Sequence, residues 1–256
     1  MTAWDVVAVV AAGLAAGGIN AVVGSGTLVT FPVLLAVGLP PVAATVSNSM
    51  GLVPGNLTGA LGYRRELTGQ RRLLLSLFPA SVLGALSGAF LLLHLPAAAF
   101  ETVVPVLVGL AVVLVAVQPV LQRWLRHRSS PTDRVGPGRT AALFGCAYAT
   151  GTYGGYFAAS QGVLQIGLFG LLLPHSLQQL NALKNVLTLG VNAVAAITYA
   201  VVATGRVDWA AAGLVAAGSL VGGFLGGRYG RRIPSWLLRS LIVAVGVVAI
   251  VVLVTG

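Results

Sequence analysis

Six stretches of this chain, at roughly 41–62, 73–93, 101–121, 176–203, 209–227 and 235–254, are apolar for about twenty residues each. That length is what an α-helix needs to cross a hydrocarbon core of about 30 Å. Two further apolar stretches, at roughly 4–37 and 140–173, are too long for the same job. About 34 residues as one straight helix would measure about 51 Å, more than a tilted span accommodates. Both are also interrupted. The first carries Gly17-Gly18-Ile19-Asn20, then Gly24-Ser25-Gly26 and Pro32. The second carries Thr150-Gly151-Thr152-Tyr153-Gly154-Gly155, then Ser160-Gln161-Gly162. These read as broken helices that fold back as hairpins, either re-entrant or as two short spans. Broken backbone is not tolerated against lipid, so the breaks must face protein or a wet cavity. The predicted fold is an all-α polytopic membrane protein.

Composition agrees. Only 8% of the residues are charged and 57% are hydrophobic, against roughly a quarter charged in soluble domains. The formal charge of +10 comes from arginines clustered between apolar runs. That distribution suits cytoplasmic loops against an anionic inner leaflet and does not suggest nucleic acid. The expected location is therefore a bacterial-type inner membrane. Residues 1–5 hold no Lys or Arg, so no cleaved signal peptide is expected. The single cysteine, Cys146, excludes a disulfide framework. His94, His127 and His175 have no metal-ligand spacing, and no cofactor is expected. Trp4, Trp124, Trp209 and Trp236 fall near predicted boundaries, as an aromatic belt does.

The chain repeats itself with a period of about 137 residues. Gly17-Gly18 aligns with Gly154-Gly155, and Asn48 with Asn185. With a one-residue slip, Ser81 to Gly88 meets Ser219 to Gly226. The expected organisation is a first repeat at 1–122, an Arg-rich linker at 123–139 and a second repeat at 140–256. Each repeat is a broken hairpin followed by three transmembrane helices. If each broken segment enters and returns, three arginine groups lie on one side: Arg64 to Arg72, Arg123 to Arg139, and Arg228 to Arg239. That arrangement satisfies the positive-inside rule. It also gives each half an odd number of crossings, which makes the two repeats inverted. The N-terminus, Ala97–Phe100, Arg206–Asp208 and the C-terminus are then expected outside.

Inverted repeats with paired broken helices are a common build of secondary transporters, whose sites lie near the midplane. A break exposes amides at the start of the second piece, and these attract anions. Gly24, Ser25 and Gly26 with Ser160, Gln161 and Gly162 therefore form a candidate pair of anion-binding turns. Asn20 and Gly155 adjoin them. On the following spans lie Asn48 and Asn56, then Asn181, Lys184, Asn185, Thr188 and Asn192. Lys184 is the only lysine and sits inside an apolar run. A central Lys costs about 2.5–3.5 kcal/mol on insertion scales, so it should face a cavity or a partner. No carboxylate lies clearly mid-membrane, which leaves an anion as the expected partner. Gly51/Gly55/Gly59, Gly84/Gly88 and Gly222/Gly226 read as helix-packing lines.

The run Gly17-Gly18-Ile19-Asn20-Ala21-Val22-Val23-Gly24-Ser25-Gly26-Thr27, with Pro32 and Ser47-Asn48-Ser49 after it, resembles the TauE/SafE family. So do Gly154-Gly155, Gln161-Gly162 and Asn181 to Asn185 with Lys184, and the likeness covers nearly the whole chain. The resemblance implies a permease for sulfite or related organosulfur anions. The expected function is export or permeation of a small anion, with the binding residues drawn from those named above. The alternative is a membrane scaffold or assembly factor without transport. The chain lacks His-Glu-x-x-His and paired intramembrane aspartates, so no enzyme is expected. Expected partners are the anion, anionic lipids at the Arg-rich loops and no nucleic acid. A homo-oligomer is compatible with the sequence.

Overall fold

The computed structural model describes residues 1–128, 137–230, 240, 242–248 and 250. Among these, every regular element is helical. In chain order they are α1 (Ala3–Val22), α2 (Thr27–Ala36), α3 (Pro41–Gly62), α4 (Arg71–His94), α5 (Ala97–Arg128), α6 (Pro137–Tyr156), α7 (Gln161–Leu172), α8 (Leu177–Val202) and α9 (Trp209–Tyr229). A further helical stretch is described at 242–248, and its Gly246 packs on Val112 of α5. Short 3-10 turns at Arg64–Leu67 and Thr204–Arg206 join α3 to α4 and α8 to α9.

Five of the described helices are long and apolar enough to cross a membrane: α1, α4, α5 through Arg123, α8 and α9. The expected span at 41–62 forms α3 but is not among the five. Ser47, Asn48, Ser49, Asn56 and Thr58 lower its hydropathy, and most of them are buried. The expected span at 235–254 lies largely outside the described residues, as do 129–136 of the Arg-rich linker, Arg134, Arg231, Arg232, Arg239 and Trp236.

Large apolar side chains cover the outside of the bundle, and polar ones join the apolar core inside. Leu83, Phe90, Val106, Val120, Ile197, Val201 and Phe224 face outward. Asn48, Gln161, Gln165, Lys184 and Asn192 are buried. Lipid gives apolar faces no reason to associate, so close backbone packing and interhelical hydrogen bonds must hold the bundle. Glycine provides the closeness. A methyl at Gly13 would lie 2.7 Å from the Val215 carbonyl, and one at Gly226 would lie 2.7 Å from Gly18 Cα. The expected packing lines do this work: Gly222 and Gly226 on α1, Gly51 and Gly55 on α9, Gly84 and Gly88 on α6.

These contacts also fix direction. Along α1 and α9 the partners advance together, from Gly13 with Val215 through Gly17 with Ser219 to Gly18 with Gly226. The two helices are therefore parallel. Gly51 with Val215 and Gly55 with Ser219 make α3 parallel to α9 as well. Ser81 with Gly151 and Ala85 with Gly155 make α4 parallel to α6. The starts of α4 and α8 lie together, because Gln70 Nε2 donates to the Gln179 carbonyl at 3.4 Å. Their far ends lie together too, where Arg206 donates to the Leu93 carbonyl at 3.0 Å. One end of the bundle thus carries the N-terminus, 37–40, 95–96 and 203–208. The other carries 63–70, 173–176 and the last turn of α9. Arg64, Arg65, Arg71, Arg72 and Arg228 all fall at the second end.

Candidate functional site

Each long apolar stretch is interrupted where its sequence loses helical preference. In the first, α1 ends at Val22 and α2 begins at Thr27. Gly24 between them has φ +89°, a left-handed geometry that costs glycine little. The chain then doubles back, so that Gly26 packs on the Ala16 backbone. In the second, α6 ends at Tyr156 and α7 begins at Gln161. There Ala158 (φ 65°) and Ser160 (φ 60°) take the left-handed geometry without being glycine, a strained choice that surrounding contacts must hold. Ser160 Oγ donates to the Ala111 carbonyl at 3.1 Å, and Tyr153 OH donates to the Ala159 carbonyl at 2.6 Å.

The two breaks meet. Gly162 N–H donates to the Gly24 carbonyl at 3.1 Å. A methyl on Gly24 would stand 2.6 Å from Gly162 Cα, and one on Gly162 would stand 2.7 Å from Gly24 Cα. The stem of Lys184 passes alongside, its Cδ 3.2 Å and 2.7 Å from those two methyl positions. Residues 138 apart in sequence touch through bare backbone because neither carries a side chain there.

Lys184 finds a partner in the protein. Because α1 stops at Val22, its last carbonyls lack helical N–H donors. Lys184 Nζ donates to the Asn20 carbonyl at 2.8 Å and to the Ala21 carbonyl at 3.5 Å. Asn181 Nδ2 and Asn185 Nδ2 each donate to the Ala21 carbonyl at 3.2 Å. Positions 181, 184 and 185 share one face of α8. That helix is set in register by a capping box between Ser176 and Gln179. A cation at the negative end of a helix is favourable. The sequence led to an anion as the partner of Lys184; peptide carbonyls exposed by the break, which no hydropathy reading sees, take up two of its donors.

The first break is fastened from the other side. Asn20 Oδ1 accepts from Gly26 N–H at 2.7 Å, and Asn20 Nδ2 donates to Asn56 Oδ1 at 3.1 Å. Asn48 Nδ2 donates to Thr27 Oγ1 at 3.2 Å, and Asn48 Oδ1 accepts from Thr30 Oγ1. In the second half, Thr188 Oγ1 donates to Gln165 Oε1 at 3.0 Å.

Asn20, Gly24, Gly162, Asn181, Lys184 and Asn185 therefore converge at the end of α1. Asn48, on α3, instead bonds the first turn of α2 through Thr27 and Thr30. Gly155 faces α4, packed on Ala85, and its carbonyl accepts from Tyr199 OH. Ser160 turns toward α5. Four of the amides expected to be bare are closed off here. Gly24 N–H donates to Ile19, Gln161 N–H to Ala158, and Gly26 and Gly162 as above. An amide in a low-dielectric interior needs an acceptor, and in this closed arrangement carbonyls and Asn20 supply them.

The groups left without a protein partner are side chains. Ser25 Oγ and both amide atoms of Gln161 make no hydrogen bond, at 0% and 1% exposure. Each follows the left-handed residue of its break, Gly24 or Ser160. Asn56 Nδ2, Gln165 Nε2, Asn181 Oδ1, Asn192 Oδ1 and Gln118 Oε1 are also buried and unpaired. Such groups cost about 1–3 kcal/mol each. Thr27, Thr30, Gln118 and Gln165 escaped the sequence reading. The one available signal was Gln165 lying a helical turn beyond Gln161, on the same face. At the N-terminal end of the bundle, a cavity of about 500 Å³ opens among Pro40, Ala43, Leu95, Arg206 and Asp208. Its floor adjoins Ser47, which accepts from Asp208 N–H at 2.9 Å. No group of three or more His, Cys, Asp or Glu that could hold a metal occurs among the described residues.

Comparison with known proteins matches residues 9–253 to a family model described as sulfite exporter TauE/SafE. The chain is 28% identical over 240 residues to "Probable membrane transporter protein YfcA" of Escherichia coli (strain K12), covering 91% of this chain and 83% of that one. It is 24% identical over 233 residues to a "Probable membrane transporter protein" of Haemophilus influenzae, covering 90% and 87%. No solved structure matches the chain.

Proposed function

This chain belongs to the sulfite exporter TauE/SafE family, a multi-pass protein of the bacterial inner membrane, and we propose that it transports a small anion held between its two broken helices. One observation carries the reading. Ser25 and Gln161, each directly after a left-handed residue of its break, have buried side-chain atoms without hydrogen-bond partners, and the breaks touch at their neighbours Gly24 and Gly162. Hydroxyl and amide N–H groups are donors, and an oxyanion supplies the acceptors they lack. The family description favours sulfite or a related organosulfur anion as the substrate. In this reading the Gly24–Gly162 contact belongs to a closed state, and transport opens it to either side in turn.

The same reading takes residues 1–122 and 140–256 as inverted copies. Its support is the pairing of contacts: Ala85 with Gly155 corresponds, 138 residues on, to Gly223 with Gly17, and Gly88 with Tyr156 to Gly226 with Gly18. The arginines gathered at one end give that end to the cytoplasm. The cavity at Arg206 is then an outer mouth. Export of an anion is favoured by an inside-negative potential, by about 2.3 kcal/mol per charge per 100 mV, so no coupling ion is required for it.

The test is anion flux in liposomes holding the purified chain, over a panel of sulfite, sulfonates and short carboxylates. Gln161→Leu removes the unpaired amide and is expected to lower flux at least about tenfold while thermal stability holds or rises by about 1 kcal/mol. Flux no higher than in protein-free liposomes for every anion would leave the scaffold reading instead.

A further inference from the structure

Resting on the transport reading above, we infer that this site carries its substrate with a single negative charge and discriminates against dianions. Four helix ends border the meeting of the breaks: the C-terminal ends of α1 and α6 and the N-terminal ends of α2 and α7. A C-terminal end carries about half a negative charge and an N-terminal end about half a positive one. The backbone dipoles therefore offset one another in pairs, which leaves the side chains to set the charge of the site.

Among the described residues, Lys184 is the one buried side chain with a formal charge. It is held at the site, with Nζ on the Asn20 and Ala21 carbonyls and its stem against Gly24 and Gly162. Two of its three N–H donors are used there, and the third remains for a ligand. The buried polar side chains that follow the left-handed residues of the breaks, Ser25 and Gln161, and those sharing the Lys184 face of α8, Asn181 and Asn185, are neutral. The described acidic residues stand apart from it. Asp5 lies in the first turn of α1, Glu66 in the turn before α4, Glu101 near the start of α5, and Asp208 caps α9.

A monoanion closed between the breaks brings the local charge to zero. A dianion would leave a full negative charge in a buried site, with no second buried cation among the described residues to meet it. Uncompensated buried charge is the costly case. Ser25 and Gln161 orient the anion without altering this balance. The substrate class is therefore a singly charged oxyanion, such as a monosulfonate or a half-protonated inorganic acid.

Methanesulfonate and sulfate test this directly, being similar in size and both tetrahedral while differing by one charge. With the wild-type full chain in liposomes, methanesulfonate flux is expected to exceed sulfate flux at least about tenfold. A large excess of sulfate should leave methanesulfonate flux within about twofold of its value. Sulfate moving as fast as methanesulfonate, or competing with it at equal concentration, would overturn the single-charge inference and leave the transport reading standing. Failure of both probes while other anions of the panel move would also overturn it. Failure of every anion would remove the transport reading and this inference together.

Discussion

Gly162→Ala tests the meeting of the two breaks most directly. The added methyl would lie 2.7 Å from Gly24 Cα, 2.7 Å from Lys184 Cδ and 3.1 Å from the Gly24 carbonyl oxygen. Carbon atoms settle about 3.5–4.0 Å apart, so the breaks must part by about 1 Å. That carries the Gly162 N–H to Gly24 carbonyl bond, now 3.1 Å, beyond useful length. Leaving its buried groups unpaired costs about 1–3 kcal/mol, and overpacking adds about 1–3 kcal/mol. The closed contact should therefore weaken by on the order of 2–6 kcal/mol. Since about 1.4 kcal/mol is a factor of ten, even the lower figure shifts the equilibrium roughly 30-fold away from the closed contact. Gly145→Ala is the control, because nothing stands within 4 Å of a methyl there. It should be neutral or stabilising by up to about 1 kcal/mol. Both variants would be compared by anion flux in liposomes and by thermal unfolding in detergent. If Gly162→Ala matches Gly145→Ala in both assays, the contact between the breaks does not matter and the reasoning fails.

Lys184→Met keeps the stem beside Gly24 and Gly162 and removes the charge. It should cost about 1–3 kcal/mol through the orphaned Asn20 carbonyl and lower anion flux at least about tenfold, and normal flux in a folded variant would take Lys184 out of the mechanism. Topology is checked in a Cys146→Ala background with a membrane-impermeant maleimide on intact cells. Thr204→Cys should label at once and Thr68→Cys only after lysis; labelling of both, or the reverse order, would defeat the proposed orientation.

Much of the molecule was legible in its residues one segment at a time. Hydropathy identified the bilayer as solvent, because the cost of placing a residue in lipid depends mainly on that residue. The breaks followed from Gly24, Gly26 and Ser160-Gln161-Gly162, because helical preference is local. The packing role of Gly51, Gly84 and Gly222 followed from their four-residue spacing with Gly55, Gly88 and Gly226. What escaped the sequence was pairing. That Gly162 donates to Gly24, that Lys184 satisfies the end of α1, that Thr27 and Thr30 hold Asn48, and that Ser25 and Gln161 are left over all involve residues 18 to more than 150 positions apart or an absence of partners. In a dry interior every polar group seeks the nearest complement, and nearness there is set by how the helices stack. The sequence thus determined where the chain must break, and only the tertiary structure decided which groups the breaks keep for themselves and which they leave without a partner in the protein.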